Sequence, residues 1–325
     1  MNDNTNDQNQ LSLLPSDAAS MGGGRNGPRE KKIPVVEMFG PTIEGEGALI
    51  GTQTFFIRFG LCDYKCKKCD SMHAVDPQIV KSTADWATQD EIFESFKRFQ
   101  EQKAPHIHNV TFSGGNPAIH DLGRLVHLLH GLHPDMKIFV ETQGTKQPDW
   151  LYNVDHIVVS PKSPGMGEKF DPVVFESFMG KYCAAGVPMS VKVVIFSQMD
   201  IEFAAGVAAL LFQEGYGMGG GYLRFQAERD FYLSQGNPHP PIFKVDELGT
   251  VRQMEIEGVP LKYGDKNAQR TDPMKKEMPN KKTLVENLLC DYNNLSEQVM
   301  KDPRLSFARF LPQLHVLVYG NETGR

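Results

Sequence analysis

The chain has 325 residues, 40% of them hydrophobic, and a formal net charge of −6 from 34 basic and 40 acidic residues. This charge gives no general attraction to nucleic acid, and no apolar stretch approaches the roughly 20 residues that a membrane span needs. The first residues lack the apolar core of a secretory signal, and the chain has only five cysteines. We therefore expect a protein of the reducing cytoplasm, without a membrane or nucleic-acid partner.

The chain divides into a polar tail, a core and an interruption before the last residues. Residues 1–31 are rich in asparagine, aspartate, serine and glycine. Such a composition cannot bury enough apolar surface to offset the entropy lost on ordering, so we predict a disordered tail. We predict a core over 32–235, an insertion over 236–305 that forms a flap or a dimer element, and a C-terminal strand and tail over 306–325 that return to the core.

Six short apolar runs typical of β-strands alternate with amphipathic stretches along the core. This alternation predicts βα units and a mostly parallel sheet covered by helices. Because six strands are predicted rather than eight, we expect an α/β fold with a partial (β/α)6 barrel, open enough to admit a substrate. The predicted strands are 54–59, 109–113, 136–141, 155–160, 189–196 and 221–226, with a last strand over 310–319. The predicted helices are 89–102, 122–132, 173–185, 201–214 and, in the insertion, 283–299.

A polar or glycine-rich sequence follows each of the six runs. The carboxyl ends of the strands in a parallel barrel share one face, and active sites collect on that face. Six such sequences at one rim are hard to explain as turns alone. The pattern therefore predicts one functional site to which every strand of the barrel contributes.

Three cysteines, Cys62, Cys66 and Cys69, lie within eight residues directly after the first run. Three thiolates on one loop can bind three irons of a [4Fe–4S] cluster and leave the fourth iron open to a small molecule. The alternative is a Cys3His zinc site with His73 as the fourth ligand. A disulfide framework is not expected in so long a chain. Cys183 lies in a predicted amphipathic helix and is expected to be a small core residue.

The cysteine loop, with its C-x3-C-x2-C spacing, resembles that of the radical S-adenosylmethionine (SAM) superfamily. The sequences around it resemble the 7-carboxy-7-deazaguanine synthase family over residues 33–235 and the tail. The E-G-E-G segment before the loop and the serine after Cys-Asp distinguish this family within the superfamily. The matching segments are P-T-I-E-G-E-G at 41–47, F-I-R-F at 56–59, D-S at 70–71, S-G-G-N-P at 113–117, E-T-Q-G-T at 141–145, S-P-K at 160–162 and Q-L-H at 313–315.

The resemblance implies a lyase that uses a [4Fe–4S] cluster, SAM and Mg2+. In the family, a 5′-deoxyadenosyl radical removes hydrogen from C6 of 6-carboxy-5,6,7,8-tetrahydropterin, and ring contraction with loss of ammonia gives 7-carboxy-7-deazaguanine, a queuosine precursor. It further implies an electron donor such as flavodoxin or ferredoxin, and a homodimer. Two alternatives remain at this point: another radical SAM enzyme, such as a glycyl-radical activase, and a non-enzymatic zinc module.

The resemblance also assigns residues to ligands. Cys62, Cys66 and Cys69 would bind the cluster and Ser71 would bind Mg2+. The implied SAM contacts are Lys68, Cys69, Asp70, Gly115, Ser160, Pro161, Lys162 and Gln226. The implied substrate contacts are Ile43, Glu44, Gly45, Arg58, Ser113 and Glu141, with His315 as a weaker candidate.

Several of these residues have plainer explanations. Arg58 shares a strand face with Phe56 and would bind either a substrate carboxylate or an internal acid. Ser71 would serve equally as a helix N-cap, and Lys162 as a surface lysine. The sequence departs from the family at Glu44, where glutamine is usual, and from the superfamily at Asn116, where glutamate is commoner. The E-G-E-G segment by itself would also fit a hairpin turn.

Overall fold

The computed structural model describes residues 30–212, 230–237, 242–245, 251–254 and 284–319. The strands are β1 Ile33–Ile43, β2 Gln53–Phe59, β3 Asp85–Ala87, β4 Asn109–Gly114, β5 Lys137–Thr142, β6 His156–Val159, β7 Met189–Ile195, β8 Phe231–Gln235, β9 Ile242–Val245, β10 Val251–Met254 and β11 Arg309–Leu311. The helices are α1 Met72–Val75, α2 Pro77–Thr83, α3 Gln89–Lys103, α4 Gly123–His130, α5 Pro172–Ala184, α6 Gln198–Phe212, α7 Leu284–Met300 and α8 Leu314–Tyr319.

A nine-stranded mixed sheet organises the molecule. Its strand order is β11-β8-β7-β6-β5-β4-β2-β1-β3. Seven strands are parallel neighbours, namely β2, β4, β5, β6, β7, β8 and β11, whereas β1 runs antiparallel to β2 and β3. The prediction of an α/β fold with an incomplete barrel is confirmed, because β3 and β11 lie at opposite ends of the sheet. Strand β11 adds a seventh parallel strand to the six that the barrel was predicted to have.

Apolar side chains on the strands bind the sheet to its covering helices. Phe55 of β2 makes edge-to-face contacts with Phe96 and Phe99 of α3, with ring centroids 5.8 and 5.5 Å apart. Helix α3 begins with a capping box, in which Thr88 and Glu91 satisfy each other's backbone amides. Burial of such strands on both faces explains their near-continuous apolar sequences. This packing keeps the strand ends, and the loops that follow them, in fixed positions.

The predicted elements differ from the structure near the C-terminal part of the chain. The predicted strand 221–226 lies outside the described residues, and the sixth parallel strand in the structure is β8, Phe231–Gln235. The predicted strand over 310–319 is wrong beyond Leu311, because Leu314–Tyr319 forms a helix. The sequence V-L-V-Y suits a strand by residue type, but this segment folds against the E-G-E-G loop instead of extending the sheet.

The predicted helix over 283–299 is confirmed as α7. Its buried face contains Leu288, Leu295 and Val299, and the last two belong to the main hydrophobic core. Leu289, which the sequence places on the same face as Leu288, is 50% exposed. Helix α7 thus packs on the core, while a flap or dimer role for 236–305 stays a prediction. Within the described residues, no helix has the length and apolar character to cross a membrane.

Candidate active site

A cavity lies at the carboxyl ends of the parallel strands, and the predicted site residues line it, with two exceptions. Pro161 is buried outside the cavity wall, and Gln226 lies outside the described residues. The predicted residues that line the cavity are Ile43, Glu44, Gly45, Arg58, Cys62, Cys66, Lys68, Cys69, Asp70, Ser71, Ser113, Gly115, Glu141, Ser160 and Lys162, together with His315. Residues that are distant in sequence therefore meet at one site.

The three clustered cysteines form one end of this cavity. Burial raises the pKa of the Cys66 thiol to about 11 and that of Cys69 to about 12, so a bound metal would have to displace their protons. The sulfur of Cys62 accepts hydrogen bonds from the Tyr64 amide and from Gln143 Nε2, both at 3.4 Å. Thiols on one wall with amide donors directed at a sulfur fit a cluster held by three cysteines.

The Cys3His zinc alternative finds no support in this geometry. Zinc needs its ligands around one ion, and no three His, Cys, Asp or Glu side chains of the described residues are arranged in that way. His73 Nε2 instead lies 3.4 Å from Glu37 Oε1. A cubane cluster does not make the same demand, since each cysteine would bind a different iron.

Two glycines hold the end of β4 against the cysteine loop. A Cβ on Gly114 would lie 2.0 Å from the Phe59 carbonyl oxygen, and one on Gly115 would lie 1.9 Å from that of Leu61. The close approach allows the amide of Asn116 to donate to the Leu61 carbonyl at 2.9 Å. Only glycine fits there, which explains the S-G-G sequence.

Two lysines stand at the cysteine end of the cavity. Lys162 Nζ donates to Ser160 Oγ at 2.9 Å, and Lys68 Nζ lies 4.1 Å from the ring centroid of Phe196. Both lysines line the cavity. Lys162 is therefore not simply a surface lysine, and this end of the cavity is suited to an anionic group.

Ser71 and Arg58 lie side by side on the next part of the wall. Ser71 Oγ donates to Asp70 Oδ1 at 3.0 Å and accepts from Arg58 Nη1 at 3.1 Å. Ser71 is the N-cap residue of α1 by position, as the alternative predicted, but its side chain makes no capping hydrogen bond. Arg58 Nε donates to Glu37, as the internal-acid alternative predicted. Burial opposes ionisation of Glu37, yet Arg58 and His73 lower its pKa to about 2.

Stacked aromatic rings form a flat part of the wall beside Arg58. Phe39 and Phe56 are nearly parallel, with ring centroids 4.9 Å apart and an interplanar angle of 4°. The guanidinium carbon of Arg58 lies 5.4 Å from the centroid of Phe39. Phe56 and Arg58 both line the cavity, so the predicted shared face is confirmed. A planar ring system would find an apolar surface here.

A buried lysine between two glutamates forms another part of the cavity wall, which is called the far end below. Lys192 Nζ donates to Glu46 and, at 3.1 Å, to Glu141 Oε1, while Ser113 Oγ donates to Glu141 Oε2 at 2.7 Å. Burial opposes ionisation of Glu46, but Lys192 and His315 lower its pKa to about 2. Sequence reasoning missed Lys192, although a lysine within the apolar strand β7 is itself a signal of a buried ion pair.

Glu44 differs from these two glutamates. Its side chain is buried, and Oε2 has no hydrogen-bond partner among the described residues. Burial, followed by the charge of Glu141, raises the pKa of Glu44 well above its usual value. Both effects favour the neutral form of the carboxyl group, which can donate as well as accept a hydrogen bond. In this respect Glu44 keeps the donor capacity of the glutamine usual at this position.

The C-terminal segment completes the cavity. The amide of Leu314 donates to the Gly45 carbonyl at 2.9 Å, and Gln313 Nε2 donates to Glu46. A Cβ on Gly45 would lie 2.1 Å from His315 Nδ1, so only glycine allows this contact. His315, the weaker candidate, accordingly lines the same cavity as the E-G-E-G segment.

Comparison with known proteins identifies the family. A 7-carboxy-7-deazaguanine synthase of Bacillus cereus is 33% identical over 294 residues, which cover 90% of this chain and 99% of the relative. The enzyme of the same name from Bacillus subtilis is 33% identical over 300 residues, with the same coverage. This chain belongs to the 7-carboxy-7-deazaguanine synthase family. No protein-family model matches the chain.

A solved structure, QueE from Escherichia coli, matches with a TM-score of 0.46 and 22% identity over 63% of this chain and 84% of that one. Family membership makes the protein a radical SAM enzyme and a lyase, as the sequence predicted. Family membership does not favour the two alternatives, a glycyl-radical activase and a zinc module.

Proposed function

We propose that the protein converts 6-carboxy-5,6,7,8-tetrahydropterin to 7-carboxy-7-deazaguanine with loss of ammonia, in 7-deazapurine and queuosine biosynthesis. The observation that carries this proposal is the identity of one third over nine tenths of the chain with enzymes of that name. A cavity with three thiols at one end and buried carboxyl groups at the other supports it, because the reaction needs a radical source and a polar substrate in one compartment.

The cysteine end would hold the radical-generating cofactors. When bound, a reduced [4Fe–4S] cluster on Cys62, Cys66 and Cys69 supplies the electron that cleaves SAM to methionine and a 5′-deoxyadenosyl radical. The Lys162 ammonium, which donates to Ser160, would bind the SAM carboxylate. Gly115 brings the end of β4 to the cysteine loop, where the bound cofactors would meet the substrate.

The far end matches the polar edge of a pterin. Ionised Glu46 and Glu141 accept hydrogen bonds, which suits the ring N–H and amino groups of the substrate. Neutral Glu44 can donate to a ring acceptor. Phe39 and Phe56 offer a flat surface for the ring system. The Arg58 guanidinium, fixed by Glu37, faces the cavity and would pair with the substrate carboxylate.

Magnesium would bind between these two ends. Ser71 Oγ and Asp70 Oδ1 lie 3.0 Å apart on the cavity wall, and oxygen donors of this kind suit a hard cation that keeps water and substrate oxygens as further ligands. We include in the proposal a flavodoxin- or ferredoxin-type electron donor, a homodimer and a cytoplasmic location. The donor and the location fit an enzyme with an oxygen-sensitive cluster.

Anaerobic product analysis tests the proposal. Reconstituted protein, incubated with SAM, dithionite, Mg2+ and the pterin, should form 5′-deoxyadenosine and 7-carboxy-7-deazaguanine. The variant Cys66→Ala should form neither product. Formation of 5′-deoxyadenosine without the deazapurine would contradict the proposed substrate and revive the activase alternative. A protein that binds one zinc and no sulfide would contradict the radical mechanism.

A further inference from the structure

A hydrogen-bonded group of four side chains lies beside the cysteine loop and has no role in the function proposed above. It consists of Asp63, Asn116, Gln143 and Thr145. Asp63 follows the first cysteine, and the other three come from the segments after β4 and β5. Asp63 Oδ1 accepts from Asn116 Nδ2 at 2.8 Å and from Gln143 Nε2, and Oδ2 accepts from Thr145 Oγ1. The group thus ties the cysteine loop to the ends of two strands.

The carboxylate of Asp63 fixes the orientation of the Gln143 amide. An ionised carboxylate only accepts hydrogen bonds, so the amide nitrogen must face it. That nitrogen has two N–H donors, and its second neighbour is Cys62 Sγ at 3.4 Å. Gln143 is 7% exposed, so water does not compete freely for this donor. One residue of the group therefore donates directly to a predicted cluster ligand.

Asn116 belongs to the same hydrogen-bonded group. Its side chain is fully buried, Nδ2 donates to Asp63, and Oδ1 accepts from Thr142 Oγ1 at 2.9 Å and from the Ala118 amide at 3.1 Å. A glutamate at this position, as in the commoner superfamily sequence, would place a second carboxylate against Asp63. Asparagine instead of glutamate at position 116 therefore avoids a second carboxylate beside Asp63.

We propose that Gln143 is a positioning residue that raises the reduction potential of the cluster by donating a hydrogen bond to the sulfur of Cys62, with Asp63 holding its amide in place. Hydrogen bonds to cysteine sulfur stabilise the more negative, reduced state of an iron–sulfur cluster. A higher potential makes the cluster easier for a biological electron donor to reduce. This inference rests on the proposed cluster but not on the proposed pterin substrate.

Redox titration of the reconstituted protein tests the inference. The variants Gln143→Leu and Gln143→Met remove the donor while keeping a side chain of similar size. Both should retain wild-type iron and sulfide, because the three cysteines are intact. The variants are compared with the wild type at the potential at which half of the wild-type cluster is reduced. At this potential, the electron paramagnetic resonance signal of each variant should give a ratio of reduced to oxidised cluster that is about threefold lower, or more.

Thr145→Val is the matched control. It removes one hydrogen bond to Asp63 but leaves the Gln143 donor facing Cys62, so its midpoint potential should equal that of the wild type. A wild-type potential in both Gln143 variants would overturn the inference. Loss of the cluster from both would also overturn it, because the role would then be retention of the cluster. A wild-type protein that carries the cluster but makes no deazapurine would contradict only the proposed function.

Discussion

Lys192 determines the charge at the far end of the cavity. Its ammonium lies between Glu46 and Glu141, and all three side chains are at most 24% exposed. Burial opposes the charge of Lys192, but the two glutamates outweigh it and raise the pKa of the ammonium. Two carboxylates and one ammonium together carry a net charge of −1, and burial and Glu141 raise the pKa of the Glu44 carboxyl group beside them. Such a site favours a ligand with several N–H donors over an anion.

The variant Lys192→Met should lose substrate turnover. Without the ammonium, Glu46 and Glu141 repel each other and take up protons, so their acceptor capacity falls. Removing one partner of a buried ion pair costs about 2–5 kcal/mol, so we expect kcat/KM for the pterin to fall about 100-fold. Anaerobic rate measurements would check this. The contrasting variant is Lys162→Met, which should weaken SAM binding instead. Equal loss of SAM binding in both variants would contradict the proposal that Lys162 binds SAM while Lys192 serves the pterin.

Individual residues were predicted where chemistry restricts the choice of side chain. Thiols at close spacing and a serine after Cys-Asp are visible in the sequence, and the structure places them on one cavity wall. Lys192 and Gln143 were missed because their roles depend on neighbours from other strands. A lysine in an apolar run or a glutamine after a strand acquires a partner only when the sheet brings distant segments together.

At the scale of elements, helix α8 is built to rest on the loop that follows β1. The amide of Leu314 binds the Gly45 carbonyl, and the imidazole of His315 occupies the space where a Cβ on residue 45 would lie.

Alternation of strand and helix predicted the elements of the barrel because each buries a long apolar face. The same reasoning was wrong for α8, because six residues are too few for periodicity to distinguish a strand from a helix. The contact with Gly45 instead fixes where this segment lies.

The variant Gly45→Ala should displace the C-terminal segment without unfolding the barrel. A methyl group would lie 2.1 Å from His315 Nδ1, so α8 has to move. We expect weaker pterin binding, unchanged cluster content, and faster proteolytic cleavage after Leu311. Gly180→Ala in α5, where a Cβ meets nothing within 4 Å, is the matched control. Wild-type pterin affinity in the Gly45 variant would show that the tail does not form part of the substrate site.

At the scale of the whole molecule, stability depends on pH through a half-buried histidine in the sheet. His156 at the start of β6 is hydrogen-bonded to Ser190 at 2.9 Å, and burial lowers its pKa to about 4. In the unfolded chain its pKa is about 6.5. The unfolded state therefore binds more protons between these two values. The contribution of His156 to the free energy of unfolding is fully present above about pH 6.5 and is lost as the pH decreases toward 4.

The variant His156→Gln should reduce this acid sensitivity. Between pH 7.5 and 5.5 the wild type should lose about 1.5 kcal/mol of unfolding free energy through His156 alone, because the unfolded state takes up the proton. Denaturant titrations at the two pH values would measure the loss. The variant keeps a side chain that can bind Ser190, so its loss should be smaller by that amount. An identical loss in both proteins would show that His156 is not buried in solution.

The contact between Gln313 and Glu46 joins residues that are 267 positions apart. During synthesis, the cysteine loop and its neighbouring strands leave the ribosome long before Gln313 and His315, which complete the wall of the cavity. A chain shortened before Gln313 would keep the cysteine loop and the parallel strands but would lack the contacts that Gln313, Leu314 and His315 make with the E-G-E-G segment.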